Sequence, residues 1–149
     1  MPMVYTDTLA AAGLLATNAT PNTETDAIYF KAGARNAALQ AVYIIGRAAA
    51  LTSISGIAFR IVKFMTGSTS GASAAIIAKD PGMQAATHTA FTGGTVGTTR
   101  TQQAIFGCGA APNPDSLIAL QGSATNSLDI MSVSGTASLN YELSAEVQE

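Results

Sequence analysis

A chain of 149 residues suits one domain, long enough to bury a core without disulfide staples. Charged residues make up 11% of it and hydrophobic residues 48%; against a usual charged share of about 25%, this excludes a disordered chain and implies a surface that is normally partly covered. The net charge is −2, and the seven Lys and Arg are scattered from Lys31 to Arg100, which excludes the clustered cations of a nucleic-acid binder.

The N-terminal stretch, residues 1–26, divides in two. Thr6 or Asp7 can cap a short helical turn carrying Leu9, Leu14 and Leu15. Residues 17–26 are polar and contain Pro21, the composition of an irregular connection. Two readings stand: a strand or turn covering one end of the core, or an arm reaching onto a neighbouring subunit. No Lys or Arg precedes the apolar residues 9–16, and Asp7 stands where a secretory signal carries positive charge. The longest apolar run, 37–62, is interrupted by Gln40, Arg47 and Arg60, so a membrane helix is not expected. The expectation is a soluble protein made in a cytoplasm.

Residues 27–149 read as one β domain. The alanines of 28–51 would suit a helix and periodicity does not settle the choice, but the β-branched and aromatic side chains of Val42, Tyr43, Ile44 and Ile45 favour a strand over 39–46, stopped at Gly46. In 56–65, Ile57, Phe59 and Ile61 alternate with Ala58 and Arg60, after which Val62 and Phe64 take the opposite phase. That switch predicts burial on both faces or a bulge. A loop at 67–71 leads to a strand over 73–79, ended by the turn Asp80-Pro81-Gly82. Residues 83–101 are small, polar and broken by Gly93, Gly94 and Gly97, and 102–108 return to a strand pattern. Pro112 and Pro114 mark a loop, and 117–120 are a short apolar run. In 136–147, Ala137, Leu139, Tyr141, Leu143, Ala145 and Val147 alternate with polar residues, as a half-buried antiparallel strand requires. With 128–133 before it and Ser134-Gly135 between, the pattern predicts a terminal β-hairpin. Short strands between turn signals, without βαβ units, give an antiparallel β-sandwich, jelly-roll-like and mostly β.

The chemistry-bearing residues are sparse. His88, the single histidine, lies in a Thr/Ala stretch with no carboxylate close in sequence, so it reads as a loop histidine unless folding brings Asp80 or Asp115 near. Cys108 is the single cysteine; it forms no internal disulfide and reads as an inert buried thiol. Asp80, Asp115 and Asp129 lie near turns, where Asp commonly satisfies backbone groups. Glu142 and Glu146 share one strand face and read as solvated. Gly93-Gly94-Thr95-Val96-Gly97 lacks the Lys of a phosphate loop and reads as a flexible connection. Asn18-Ala19-Thr20 has the glycosylation pattern but no secretory context. No catalytic constellation, metal set or cofactor motif emerges, and the expectation is a protein that binds other proteins and is not an enzyme.

Two stretches, LQAVYIIGRAAALTSISGIAFRIVKF from Leu39 and SLDIMSVSGTASLNYELSAEV from Ser127, flank a Gly/Ala/Thr-rich middle. Together they resemble the cement (decoration) proteins of tailed-phage capsids. The resemblance implies a jelly-roll-like sandwich on the outside of the head shell, forming a homo-oligomer, dimer or trimer, and tying neighbouring major capsid proteins together. Candidate contact residues are Leu9, Leu14 and Leu15 of the N-terminal stretch, with Tyr29 and Phe30. The alternatives are another jelly-roll virion component (a capsid subunit, tail or head fibre) and a carbohydrate-binding sandwich, for which the chain offers no Trp and four Tyr.

Overall fold

A computed structural model of the chain describes residues 3–8, 15–16, 24–47, 58–107, 117–120, 125–133 and 140–149. Among these residues every regular element is a strand: β1 (Val4–Thr8), β2 (Leu15–Ala16), β3 (Glu24–Lys31), β4 (Ala38–Arg47), β5 (Ala58–Thr66), β6 (Ala72–Ser73), β7 (Ala75–Ala78), β8 (Thr89–Thr92), β9 (Thr98–Gly107), β10 (Ile118–Ala119), β11 (Ser127–Val133) and β12 (Asn140–Gln148). They form two antiparallel sheets packed against each other, the expected β-sandwich. Sheet A runs β10-β4-β12-β1-β7, with β2 also on β12; sheet B runs β6-β8-β3-β11-β5-β9. The chain crosses repeatedly from one sheet to the other, so most ladders join segments far apart in sequence.

Sheet A is organised by β12. Tyr141, Leu143, Ala145 and Val147 are buried while the residues between them are half-buried, the period-two pattern read from the sequence. β4 pairs with β12 along its whole length, so β1 and β2 share the other edge. Val4–Thr8 is therefore an interior strand between β12 and β7, and Thr6 and Asp7 are strand residues instead of helix caps. Leu9 and Leu14 lie outside the described residues.

Sheet B is organised by β11, which lies between β3 and β5 and is buried from Ser127 through Ser132. Its inward side chains, Leu128 and Ile130, join Ile28, Phe30, Phe59 and Ile61 against Leu39, Val42, Tyr141, Leu143 and Val147 of sheet A. Phe59 meets Tyr141 edge-on across the interface, with ring centroids 5.2 Å apart. The outward side is also buried, by a second cluster of Val62, Phe64 and Met131. Of the two predicted causes of the β5 pattern, burial on both faces is the one at work: β5 pairs with β11 without a shift, and the bulge against β9 places its extra residue in β9.

The terminal hairpin does not form. β11 and β12 are both strands, but they belong to opposite sheets. The reason is edge occupancy: β3 and β5 take both edges of β11, while β4, β1 and β2 take those of β12. Residues 134–139, which join them, lie outside the described residues.

Candidate functional site

Three features of the sandwich carry polar chemistry or open apolar surface. The first closes one end. Met3 and Glu149 exchange both backbone hydrogen bonds at 2.8 Å, extending the β1–β12 ladder and fixing the Glu149 side chain beneath the segment leading into β8. Oε1 of Glu149 accepts from Nδ1 of His88 at 2.7 Å, the His88 N–H at 2.7 Å and the Thr87 N–H at 2.9 Å. Oε2 lies 2.9 Å from Nε of Arg35, on the β3–β4 connection. The Arg35 guanidinium also donates to the Ala85 carbonyl, and the Tyr5 hydroxyl donates to the Gln84 carbonyl at 2.7 Å. Burial disfavours the Glu149 charge, but the His88 and Thr87 donors outweigh it and hold the carboxyl below its usual range.

This corrects the reading of His88. It is 2% exposed, and its carboxylate partner is Glu149, 61 positions away, not Asp80. Asp115 lies outside the described residues. A general base needs its imidazole within reach of a substrate proton, whereas the His88 and Glu149 side chains are both 0% exposed. The cluster is a clasp joining the ends of both sheets. Beside it lies an open cavity of about 300 Å³ lined by Tyr5, Ile76, Ala78, Met83 and residues 84–86, mostly apolar.

The second feature is a pair of buried carboxyls on the outward side of sheet B. Asp129 faces Val62 across β5, and Asp26 faces Met131 across β3 and β11. Val62 and Met131 belong to the outer cluster, so both carboxyls share their face. Simple alternation from Ile28 would send Asp26 into the apolar core between the sheets. A bulge opposite Ile130 and Met131 shifts the register by one and turns it outward, beside Asp129. Asp26 is 3% exposed and Asp129 0%. The Ser68 hydroxyl donates to Oδ2 of Asp129 and accepts from the Gly97 N–H at 2.9 Å. Burial, reinforced by the Asp26 charge, pushes the Asp129 carboxyl up to about 8; burial also raises Asp26, against the pull of the nearby Ser68 and Asp129 and with the Glu24 charge behind it. Asp129 is thus a mid-strand residue in a buried pair and not a turn residue, whereas Asp80 does serve its turn, its Oδ1 accepting from the Gly82 N–H at 3.0 Å. Among the described residues, no group of three or more His, Cys, Asp or Glu is placed to hold a metal ion.

The third feature is the outer face of sheet A. Register places Ala41, Glu146, Thr6 and Ile77 in one row across β4, β12, β1 and β7, with Tyr43 opposite Ser144 in the next. Tyr43 is 51% and Ile77 56% exposed. Glu146 is not simply solvated: its side chain is 13% exposed and ion-paired with Lys79. Among the described residues this face carries small side chains, the two open side chains of Tyr43 and Ile77, the Glu146–Lys79 ion pair and Glu142.

Of the contact residues expected from the sequence, Leu9 and Leu14 lie outside the described residues. Tyr29 and Phe30 are 2% and 0% exposed, so these two side chains belong to the interior; Tyr29 stacks on Phe91 and its hydroxyl accepts from the Gly71 N–H. Leu15 lies in β2 opposite Tyr141, and Cys108 falls outside the described residues. The Gly93–Gly97 stretch is pinned, with Thr69 and Thr95 exchanging both backbone hydrogen bonds. Sequence reasoning missed Arg35, Glu149, Asp26 and Ile77; none carried a local signal, since even Asp26 follows the polar Glu24 and Thr25 at the start of β3. Among known proteins, no family model, no curated protein and no solved structure matches the chain.

Proposed function

We propose that this chain is a structural β-sandwich that works by docking onto other protein subunits, and that its place is the outside of a tailed-phage head. There it would act as a cement protein, a small homo-oligomer tying neighbouring major capsid proteins together. One observation carries the docking half of this reading: the outer face of sheet A presents Tyr43 and Ile77 among Ala41, Thr6 and Ser144, while Tyr29, Val62, Phe64 and Met131 on the outer side of sheet B are already buried. Tyrosine is an efficient anchor at interfaces, and small residues around it allow close approach. The phage half rests on the sequence resemblance of residues 39–64 and 127–147.

Many symmetric copies convert a modest contact into firm attachment, so each docking face can be weak by itself. A protein that binds the mature shell better than its precursor stabilises the mature form by that difference in affinity.

The test is the mass of the purified protein by light scattering, followed by co-sedimentation with tailed-phage heads, using wild type, Tyr43→Glu and Ile77→Glu. Both variants should keep the wild-type melting transition, since surface changes usually shift stability by only about 0.5 kcal/mol. Wild type should sediment with heads and the variants should stay in the supernatant. A wild-type monomer that ignores heads would end the cement reading. Glycan binding abolished by Tyr43→Ala would replace it with the carbohydrate-binding alternative; Tyr141, 1% exposed, is closed to that role.

A further inference from the structure

The buried carboxyl pair is covered by a strap made from two connections. One is the β5–β6 connection around Ser68; the other is the β8–β9 connection from Gly93 to Gly97. The Thr69–Thr95 bridge joins them, with N···O distances of 3.1 and 2.8 Å. The contacts of the strap reach the outer face of sheet B and the connection leading into β11. The Gly67 N–H donates to the Thr125 carbonyl at 2.6 Å, the Ser68 N–H to Ser127 Oγ at 3.0 Å, and the Gly71 N–H to the Tyr29 hydroxyl at 3.0 Å. Gly97 lies so close to Phe64 that a Cβ there would come within 2.8 Å of its Cβ and Cγ. The strap therefore lies over Phe64, Tyr29 and Asp129, and the Ser68 hydroxyl is its polar pin.

Among the described residues, no hydrogen bond of good geometry is made to Oδ1 or Oδ2 of Asp26, or to Oδ1 of Asp129, although the Ser68 hydroxyl lies close by. Three unpartnered carboxyl oxygens in the interior would be strongly unfavourable if both acids were ionised. A single proton held between the two removes one of the charges and pairs two of the three oxygens: one carboxyl becomes a donor and the other its acceptor. The neighbouring charges do not supply that neutralisation. Arg60 of β5 and Arg100 of β9 are both engaged by Glu24 of β3, and the strap segments 67–71 and 93–97 contain no charged residue. Lys31 lies over the Tyr29 ring. Tyr141 of sheet A is a neutral phenol, pushed up to about 12 by burial, with the Asp26 charge adding to the rise.

We propose that Asp26 and Asp129 share one proton and that this proton locks the strap, making the strap an alkaline-sensitive cover over the outer face of sheet B. Loss of the proton leaves two adjacent buried charges, which separate only if water or a counter-ion enters, and the least structured route is lifting of the strap from Ser68. Opening exposes Phe64 and Tyr29 with their neighbours Val62 and Met131, an apolar surface that is closed at lower pH. The linkage sign follows from the extra proton in the folded state. A carboxyl raised above its unfolded value makes stability fall as pH climbs from the ordinary carboxylate range, 3.8 for Asp129, toward its folded value near 8.

The experiment measures the melting temperature of wild type, Asp26→Asn and Asp129→Asn between about pH 6 and about pH 9. Amide exchange of Ser68, Thr69, Thr95 and Gly97 is followed in parallel, normalised to the intrinsic rate at each pH and compared with Ile130. Wild type should lose melting temperature steadily as pH rises, and the strap amides should lose protection before Ile130 does. Either Asn variant removes the second charge, so it should flatten both dependences. Two variants guard against one that folds poorly. A flat wild-type profile, or Asn variants with the wild-type slope, would overturn the proposal. So would calcium chloride raising the wild-type melting temperature at pH 7 while leaving both variants unmoved, because the occupant would then be a cation and not a proton.

Discussion

Removing residues 1–8 separates the two readings of the N-terminus, arm and integral strand. An arm could be deleted with the domain still folded. β1 instead fills the slot between β12 and β7 in sheet A. Its deletion strips the backbone partners from both neighbours and removes Tyr5, which is 1% exposed, bonded to the Gln84 carbonyl and packed edge-on against His88 at 5.6 Å. Deleting a large buried aromatic alone costs about 3–5 kcal/mol, and the lost ladder adds roughly 1 kcal/mol per hydrogen bond. The sum reaches the whole stability of an ordinary domain, about 5–15 kcal/mol. The truncated protein should therefore show no cooperative transition in urea or on heating. Tyr5→Ala offers a graded version: it should fold but melt about 10 °C lower, at roughly 2–4 °C per kcal/mol for a chain of this size. A truncated protein that melts cooperatively within a few degrees of wild type would refute the reasoning and restore the arm.

Two further outcomes follow from the clasp and the strap. Glu149 is held below its ordinary value, so its contribution is fully present above the unfolded pKa of 4.5 and is lost as pH falls through the lower folded value; the melting advantage of wild type over Glu149→Gln should therefore shrink as solutions are acidified below that pH. Glycine replacements should separate crowding from backbone strain. Gly97→Ala meets the Thr66 carbonyl and Phe64 and should cost about 1–3 kcal/mol by overpacking. Gly93→Ala, with φ +64° and open space around it, should cost only the left-handed penalty of about 1–2 kcal/mol. Urea denaturation reads both, and a smaller loss at Gly97 than at Gly93 would argue against the tight seat of the strap.

Local pattern by itself determined several elements of this protein. The alternation around Tyr141, Leu143, Ala145 and Val147 identified β12 and its buried face, and the phase change at Val62 offered burial on both sides of β5 as one of two readings. Asp80-Pro81-Gly82 marked its turn for the same reason: side-chain period and turn chemistry act over a few residues, and a few residues are what a pattern reads. Partnership was decided elsewhere. Nothing near Ser134 or Gly135 says that β11 and β12 enter different sheets, because that depends on β3, β5, β4 and β1 occupying their edges. His88 meets Glu149 across 61 positions, and Asp26 reaches Asp129 only because one extra residue in β3 reverses its face. These outcomes depend on register and packing between distant strands, which the tertiary structure sets; the local sequence specifies only which side chains are available to be brought together.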